Sequence, residues 1–191
     1  MVGVERKRVA PEATDAQRPL HGWPAPRIAW AVSVGSGASF AVRRDLVLTL
    51  GGFDERLDCG EPLPGGGDLD LFWRALQAGH EVVYEPAAVA WHEHRRTVPE
   101  LTRQLAGHQR ALIVFLRKAA AHARGWQRLS VLAFLSWRLV KPGVRLLCRA
   151  VGRDPLPAAV LWRMWGETWS GLTAYQPVWR DAEAVDGKGR R

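Results

Sequence analysis

Pro64-Gly65-Gly66-Gly67-Asp68-Leu69-Asp70-Leu71-Phe72-Trp73-Arg74-Ala75-Leu76-Gln77-Ala78-Gly79 is a glycine run that leads directly into a helical pattern. Consecutive glycines let the backbone turn sharply and approach a ligand closely. Leu69, Phe72, Trp73 and Leu76 recur at i, i+3, i+4 and i+7, so the spacing predicts a helix over 68–78 with this stripe facing a core. Gly79 stands where a C-capping glycine belongs. Asp68 falls at the N-cap or in the first turn, where free amides and the helix dipole favour a carboxylate. A carboxylate fixed there can take a proton from a hydroxyl or bind a cation, and it is equally what a simple capping aspartate looks like. Asp70, two residues on, points to another side of the helix.

Upstream, residues 1–27 are polar and dotted with Pro11, Pro19, Pro24 and Pro26, the pattern of a flexible lead-in. Ile28–Val34 is apolar with β-branched members and predicts a buried strand; Ala38–Val42 predicts a second, and Asp45–Leu50 a helical turn closed by Gly51-Gly52. Downstream, Glu81–Tyr84 and Ala87–Trp91 read as short strands separated by Pro86. After Pro99 the pattern changes to amphipathic helices: one to about residue 123, marked by Leu101, Leu105, Leu112, Phe115 and Leu116, one over 127–140 ending before Pro142, and one over 158–168.

The chain has 191 residues, 47% of them hydrophobic and 24% charged, enough to bury a core. Charge is unevenly placed. Residues 1–100 carry 11 Lys/Arg and 14 Asp/Glu, whereas residues 101–191 carry 16 and 5, leaving −3 and +11. The acids that site chemistry needs therefore lie in the first half, and the second half has the balance of a segment that meets phosphates. Cys59 and Cys148 match no metal-ligand spacing and fit a reducing compartment; no signal peptide opens the chain. No uncharged run in the tail reaches the roughly 18 residues of a membrane span. Arginines beside Trp126, Trp137, Trp162, Trp165 and Trp169 suit either helices lying in a lipid headgroup layer or a helical subdomain packed on the first half.

Two further segments carry polar groups in patterns of interest. In Trp91-His92-Glu93-His94, a strand would project His92 and His94 from one face, as two ligands of a metal site or as two surface histidines. In Gly51-Gly52-Phe53-Asp54-Glu55, the glycines give a tight turn, Phe53 anchors it, and the acidic pair faces solvent or a substrate.

Taken in order, Gly37-Ala38-Ser39-Phe40-Ala41-Val42-Arg43-Arg44, Gly51–Glu55, Gly65–His80, Val83–Ala87 and Trp91–Arg95 resemble the second half of family 2 glycosyltransferases with the GT-A nucleotide-sugar fold. The resemblance covers residues 28–100. It implies that Asp68 is the catalytic base that deprotonates the acceptor hydroxyl, that His92 helps hold a divalent cation (Mg²⁺ or Mn²⁺) on the donor diphosphate, and that Asp54, Glu55, Asp70 and Trp73 border the acceptor. Two departures stand out. Gly67 replaces the usual acid before the base, and the N-terminal nucleotide-binding half with its Asp-x-Asp metal motif does not precede residue 28.

The fold expected is the C-terminal part of an α/β GT-A domain with a mixed sheet over 28–100. A flexible lead-in precedes it, an amphipathic helical region over 101–175 follows, and a disordered basic tail covers 176–191. The function expected is inverting transfer of a sugar from a nucleotide diphosphate to a glycan or lipid-linked acceptor, by a chain that stands as a fragment of the whole enzyme. The alternative is a catalytically inactive binding or accessory module held at a membrane by its basic helices. Either role is placed in the cytoplasm, at the inner face of the cell membrane if the helices bind lipid. No nucleic-acid reading motif accompanies the basic residues.

Overall fold

The computed structural model describes residues 6–8, 18–19, 26–33, 37, 39–57, 63, 65–84, 91–93 and 95–174; of 6–8, 18–19, 84 and 91–93 it describes the backbone alone. Six α-helices follow in order: α1 (Arg27–Ser33), α2 (Arg44–Thr49), α3 (Gly67–Gln77), α4 (Val98–His122), α5 (Gly125–Ala150) and α6 (Ala158–Thr173), with a 3₁₀ turn at Glu55–Leu57. Among the described residues, extended pairing is confined to two short antiparallel ribbons. In one, β1 (Arg6–Arg8) pairs with β4 (Trp91–Glu93); in the other, β2 (Arg18–Pro19) pairs with β3 (Val83–Tyr84).

The expectation of an α/β domain with a mixed sheet is therefore overturned: the described residues are dominated by helices, and no ladder among them is longer than three pairs or joins more than two strands. The error begins at Ile28. Residues 27–33 form a helix because Ile28 and Ala31, at i and i+3, bury one face against α3, α4 and α5, and a seven-residue apolar run does not by itself separate the two periodicities. Residues 40–43, where a strand was expected over 38–42, belong to no helix or strand among the described residues. The expected strand at 87–91 lies, apart from Trp91, outside the described residues, and so do the basic tail and most of the lead-in.

Other elements follow the sequence closely. Gly66 sits at φ +106°, in the left-handed region that a side chain disfavours, and starts α3 one residue earlier than read. Gly79, at φ +83°, ends it, its amide donating to the Leu76 carbonyl and that of His80 to the Ala75 carbonyl. In α4, the Thr97 hydroxyl accepts from the Glu100 amide while the Glu100 carboxylate accepts from the Thr97 amide, a reciprocal cap that fixes where the helix begins.

Helix α5 does not stop at Pro142, as read from the sequence, but runs through it. Proline has no N–H for the carbonyl four residues back. That carbonyl belongs to Arg138, and the Gln109 side-chain amide of α4 reaches it at 3.5 Å, so a neighbouring helix supplies the missing donor.

The core joins Ile28 and Ala31 to Phe72, Trp73 and Leu76 of α3, to Leu112, Phe115 and Leu116 of α4, and to Val131 of α5. The most extensive helix pairing is α4 with α6. Gly171 permits it: a Cβ there would lie 2.9 Å from Ile113 Cβ and 3.0 Å from the Arg110 carbonyl. Arg117 donates to the Gly171 carbonyl at 3.1 Å and Gln109 to Thr168 Oγ1 at 3.0 Å. Among the described residues no helix is long and apolar enough to cross a membrane.

Candidate functional site

Asp68 lies in the first turn of α3. Its Oδ1 accepts the Leu69 amide at 2.9 Å, occupying one of the free donors that every helix start exposes, and its Oδ2 accepts the Gly37 amide at 2.8 Å. The carboxylate is held from two directions, and each oxygen keeps a second lone pair. It borders a cavity of about 670 Å³ that Gly65, Gly66 and Gly67 also line. The walls are contributed by α1, the 40–57 segment, α4, α5 and α6 through Val32, Phe40, Phe53, Leu57, Leu112 and Met164.

His108 of α4 lines the same cavity. Burial pushes its pKa below the ordinary imidazole value; the Asp68 carboxylate pulls the other way and the Arg95 charge adds to the lowering. A neutral imidazole near a carboxylate is a pair of proton-accepting groups facing one space.

Asp54 and Asp70 hold a different place. Lys118 of α4 sits 2.8 Å from Asp54 Oδ2 and 2.7 Å from Asp70 Oδ1, so one ammonium bridges both carboxylates. Arg56 pairs with Asp54 through Nε at 2.6 Å and Nη2 at 2.9 Å. Arg74 donates to Asp70 Oδ2 at 2.8 Å, to the Gly52 carbonyl at 2.7 Å and to the Leu50 carbonyl. The side chains of Asp54 and Asp70 are only 7% and 2% exposed. Burial disfavours the Asp54 charge, but the hydrogen bonds from Arg56 and Lys118 outweigh it and hold the carboxyl far below the usual range. This network fastens the 50–57 turn to α3 and α4, and it thereby sets Phe53 and Leu57 in the cavity wall.

Of the residues the resemblance assigned whose side chains are described, Asp68 alone borders the large cavity. Glu55 is exposed on the 3₁₀ turn, Trp73 is 4% exposed inside the core, and Asp54 and Asp70 are committed to ion pairs. Asp54 and Glu55 do line a second, open hollow of about 420 Å³ with Arg56, Arg74, Lys118 and His122. The His92 side chain lies outside the described residues; its backbone pairs with Lys7. Among the described residues no three His, Cys, Asp or Glu side chains come together.

The sequence reading missed His108, Gln109, Lys118 and Arg138. A signal for His108 was present: with Leu105 and Leu112 it falls at i, i+3 and i+7, a polar member of an apolar stripe.

Compared with known proteins, the chain is related to a glycosyltransferase over about a third of its length. The relatives are two proteins called pre-mycofactocin glycosyltransferase, from Mycobacterium tuberculosis strains CDC 1551 / Oshkosh and ATCC 25618 / H37Rv. Each is 39% identical over 64 residues, which are 34% of this chain and 12% of the relative. The chain thus spans about an eighth of the curated relatives it matches. No family model matches the chain, and no solved structure does.

Proposed function

We propose that the chain is the acceptor-side part of a family 2-type sugar transferase that moves a sugar from a nucleotide diphosphate to an acceptor hydroxyl with inversion. The observation that carries this reading is Asp68: a carboxylate held by the Gly37 and Leu69 amides beside a cavity of about 670 Å³, next to a glycine run. The acceptor hydroxyl gives its proton to Asp68 while its oxygen bonds to the anomeric carbon. The bond from that carbon to the nucleoside diphosphate breaks, and its electron pair leaves with the diphosphate. Attack opposite the leaving group inverts the anomeric centre. His108 lines the same cavity, and in this reading it accepts a hydrogen bond from the acceptor and orients it. The test is the anomeric configuration of product from an α-linked nucleotide sugar, read by NMR: a β-linked product supports the reading and an α-linked one contradicts it.

A second reading, an accessory module held on a membrane surface at the cytoplasmic face, is favoured by the outer side of α5. Trp126, Leu129, Trp137, Val140, Val144 and Leu147 form an exposed apolar stripe, with Trp126 71% and Leu147 72% exposed. Trp162 and Trp169 of α6 are also exposed. Helix α5 carries no acidic residue. Co-sedimentation with vesicles rich in anionic lipid, lost in Trp126→Ser with Leu147→Ser, supports this reading; no sedimentation contradicts it.

A further inference from the structure

The cavity that Asp68 borders also carries a cation: Arg138, from the middle of α5, is among its lining residues. Arg138 also lines a smaller hollow of about 50 Å³ that shares Gln109, Arg138 and Met164 with the large cavity and adds Lys141 and Arg145. Three cations therefore converge where α5 meets α4 and α6.

Their charges are not balanced. Arg145 is satisfied by Asp154, to which it donates through Nε at 2.6 Å and Nη2 at 2.9 Å. Arg138 makes one side-chain hydrogen bond, from Nη2 to Gln109 Oε1 at 3.0 Å, and its Nε is buried with no acceptor. Among the described residues neither Arg138 nor Lys141 has a carboxylate within ion-pairing distance. Burial weakens the charged form of both, and the neighbouring arginines repel them further. A sheltered cation without a partner is costly, and helix α5 has no acid to offer.

The surroundings hold this arrangement in place. The Gln109 amide is anchored by its bond to Thr168 Oγ1 at 3.0 Å, which turns Oε1 toward Arg138. The guanidinium is thus set rather than free to fold back on the surface. Val32, Phe40, Phe53, Leu105 and Leu112 line the same cavity and make much of its wall apolar.

We infer that the part of the cavity lined by Arg138, with Lys141 in the adjoining hollow, is a binding site for a phosphate-type oxyanion carried by the ligand whose hydroxyl or sugar reaches Asp68. Guanidinium fits such an anion because its planar donors match two oxygens at once, and the lysine adds a point charge. The phosphate can come from the diphosphate of a nucleotide donor or from a lipid-linked acceptor; both present the same tetrahedral oxyanion. This extends the site proposed above, but binding there does not require that Asp68 act as a base.

The test is calorimetric titration of the full chain with decyl phosphate below its micellar concentration, with UDP, and with uncharged decyl glucoside. At least one phosphate probe binds saturably. Arg138→Gln and Lys141→Gln, each with unchanged circular dichroism, weaken it at least tenfold, and Asp68→Asn leaves it as tight as in the wild type. The preferred probe identifies the source of the phosphate. The proposal is overturned if neither phosphate probe binds, if decyl glucoside binds as tightly, or if both charge variants bind like the wild type. Because Asp68→Asn removes transfer and spares binding, failure of the transfer reading and failure of this site give different patterns.

Discussion

The Gly37 amide donates to Asp68 Oδ2 at 2.8 Å, a bond that spans 31 residues and ties the start of α3 to the loop after α1. A Cβ at position 37 would lie 3.4 Å from that same oxygen. Gly37 and Asp68 together line the large cavity.

That proximity also governs His108. The Asp68 charge holds the His108 pKa up against the lowering caused by burial. Asp68→Asn removes this support, so His108 titrates at lower pH in the variant. Histidine ring resonances followed by NMR across pH 4–8 read the shift directly; an unchanged or raised value shows that the two groups do not face each other. Asparagine keeps an oxygen for the Gly37 amide, so the unfolding free energy changes by about 1 kcal/mol or less.

Lys118→Met removes the ammonium that bridges two buried carboxylates. Asp54 and Asp70 then face each other with Arg56 and Arg74 alone. Breaking a buried pair from one side costs about 3 kcal/mol, read as a shift of the urea midpoint. A loss below about 0.5 kcal/mol shows that the network is solvated.

The same network sets an acid limit. The folded-state Asp54 pKa is depressed below its ordinary 3.8, so the stability it contributes is present above that value and drains away as pH falls below it, toward the folded pKa. Asp154, depressed through its hydrogen bonds from Arg145, acts in the same direction. The urea midpoint falls from pH 5 to pH 2.5, and Asp54→Asn flattens this dependence. A variant as steep as the wild type contradicts the assignment.

Gly171→Ala tests the α4–α6 seam. The added methyl meets Ile113 Cβ at 2.9 Å and a backbone carbonyl at 3.0 Å, and backbone cannot step aside cheaply. Overpacking of this kind costs about 1–3 kcal/mol. Gly166→Ala on the same helix, where a Cβ meets nothing within 4 Å, serves as the control and leaves stability unchanged or slightly higher.

Helices α3, α4 and α6 were legible because their apolar residues keep a 3.6-residue period, and the glycine run and Gly79 marked the two ends of α3. Helix α1 was not, because Ile28, Ala31, Trp30 and Val32 fill a short run that either periodicity accommodates. The passage of α5 through Pro142 was hidden because the donor that rescues the freed carbonyl, Gln109, lies 29 residues before the acceptor, Arg138.

The site shows the same division. Asp68 was singled out by the glycine run before a helix start, a local pattern, while its role as base came from the resemblance alone; the structure places it beside the large cavity. That Asp54 and Asp70 are joined through Lys118, and that Arg138 reaches the Asp68 cavity, depend on packing between distant segments. No spacing rule in the chain encodes either contact.

The central claim is that Asp68 takes the acceptor proton. Its most direct test is the initial rate of acceptor-dependent nucleoside diphosphate release from UDP-, GDP- and dTDP-sugars, measured with a donor-binding half supplied, for the wild-type chain and for Asp68→Asn at equal folded concentration. The account predicts release by the wild type and a fall of about 100-fold or more in the variant. Equal rates in the two proteins, or no release by the wild type with any donor, would contradict it.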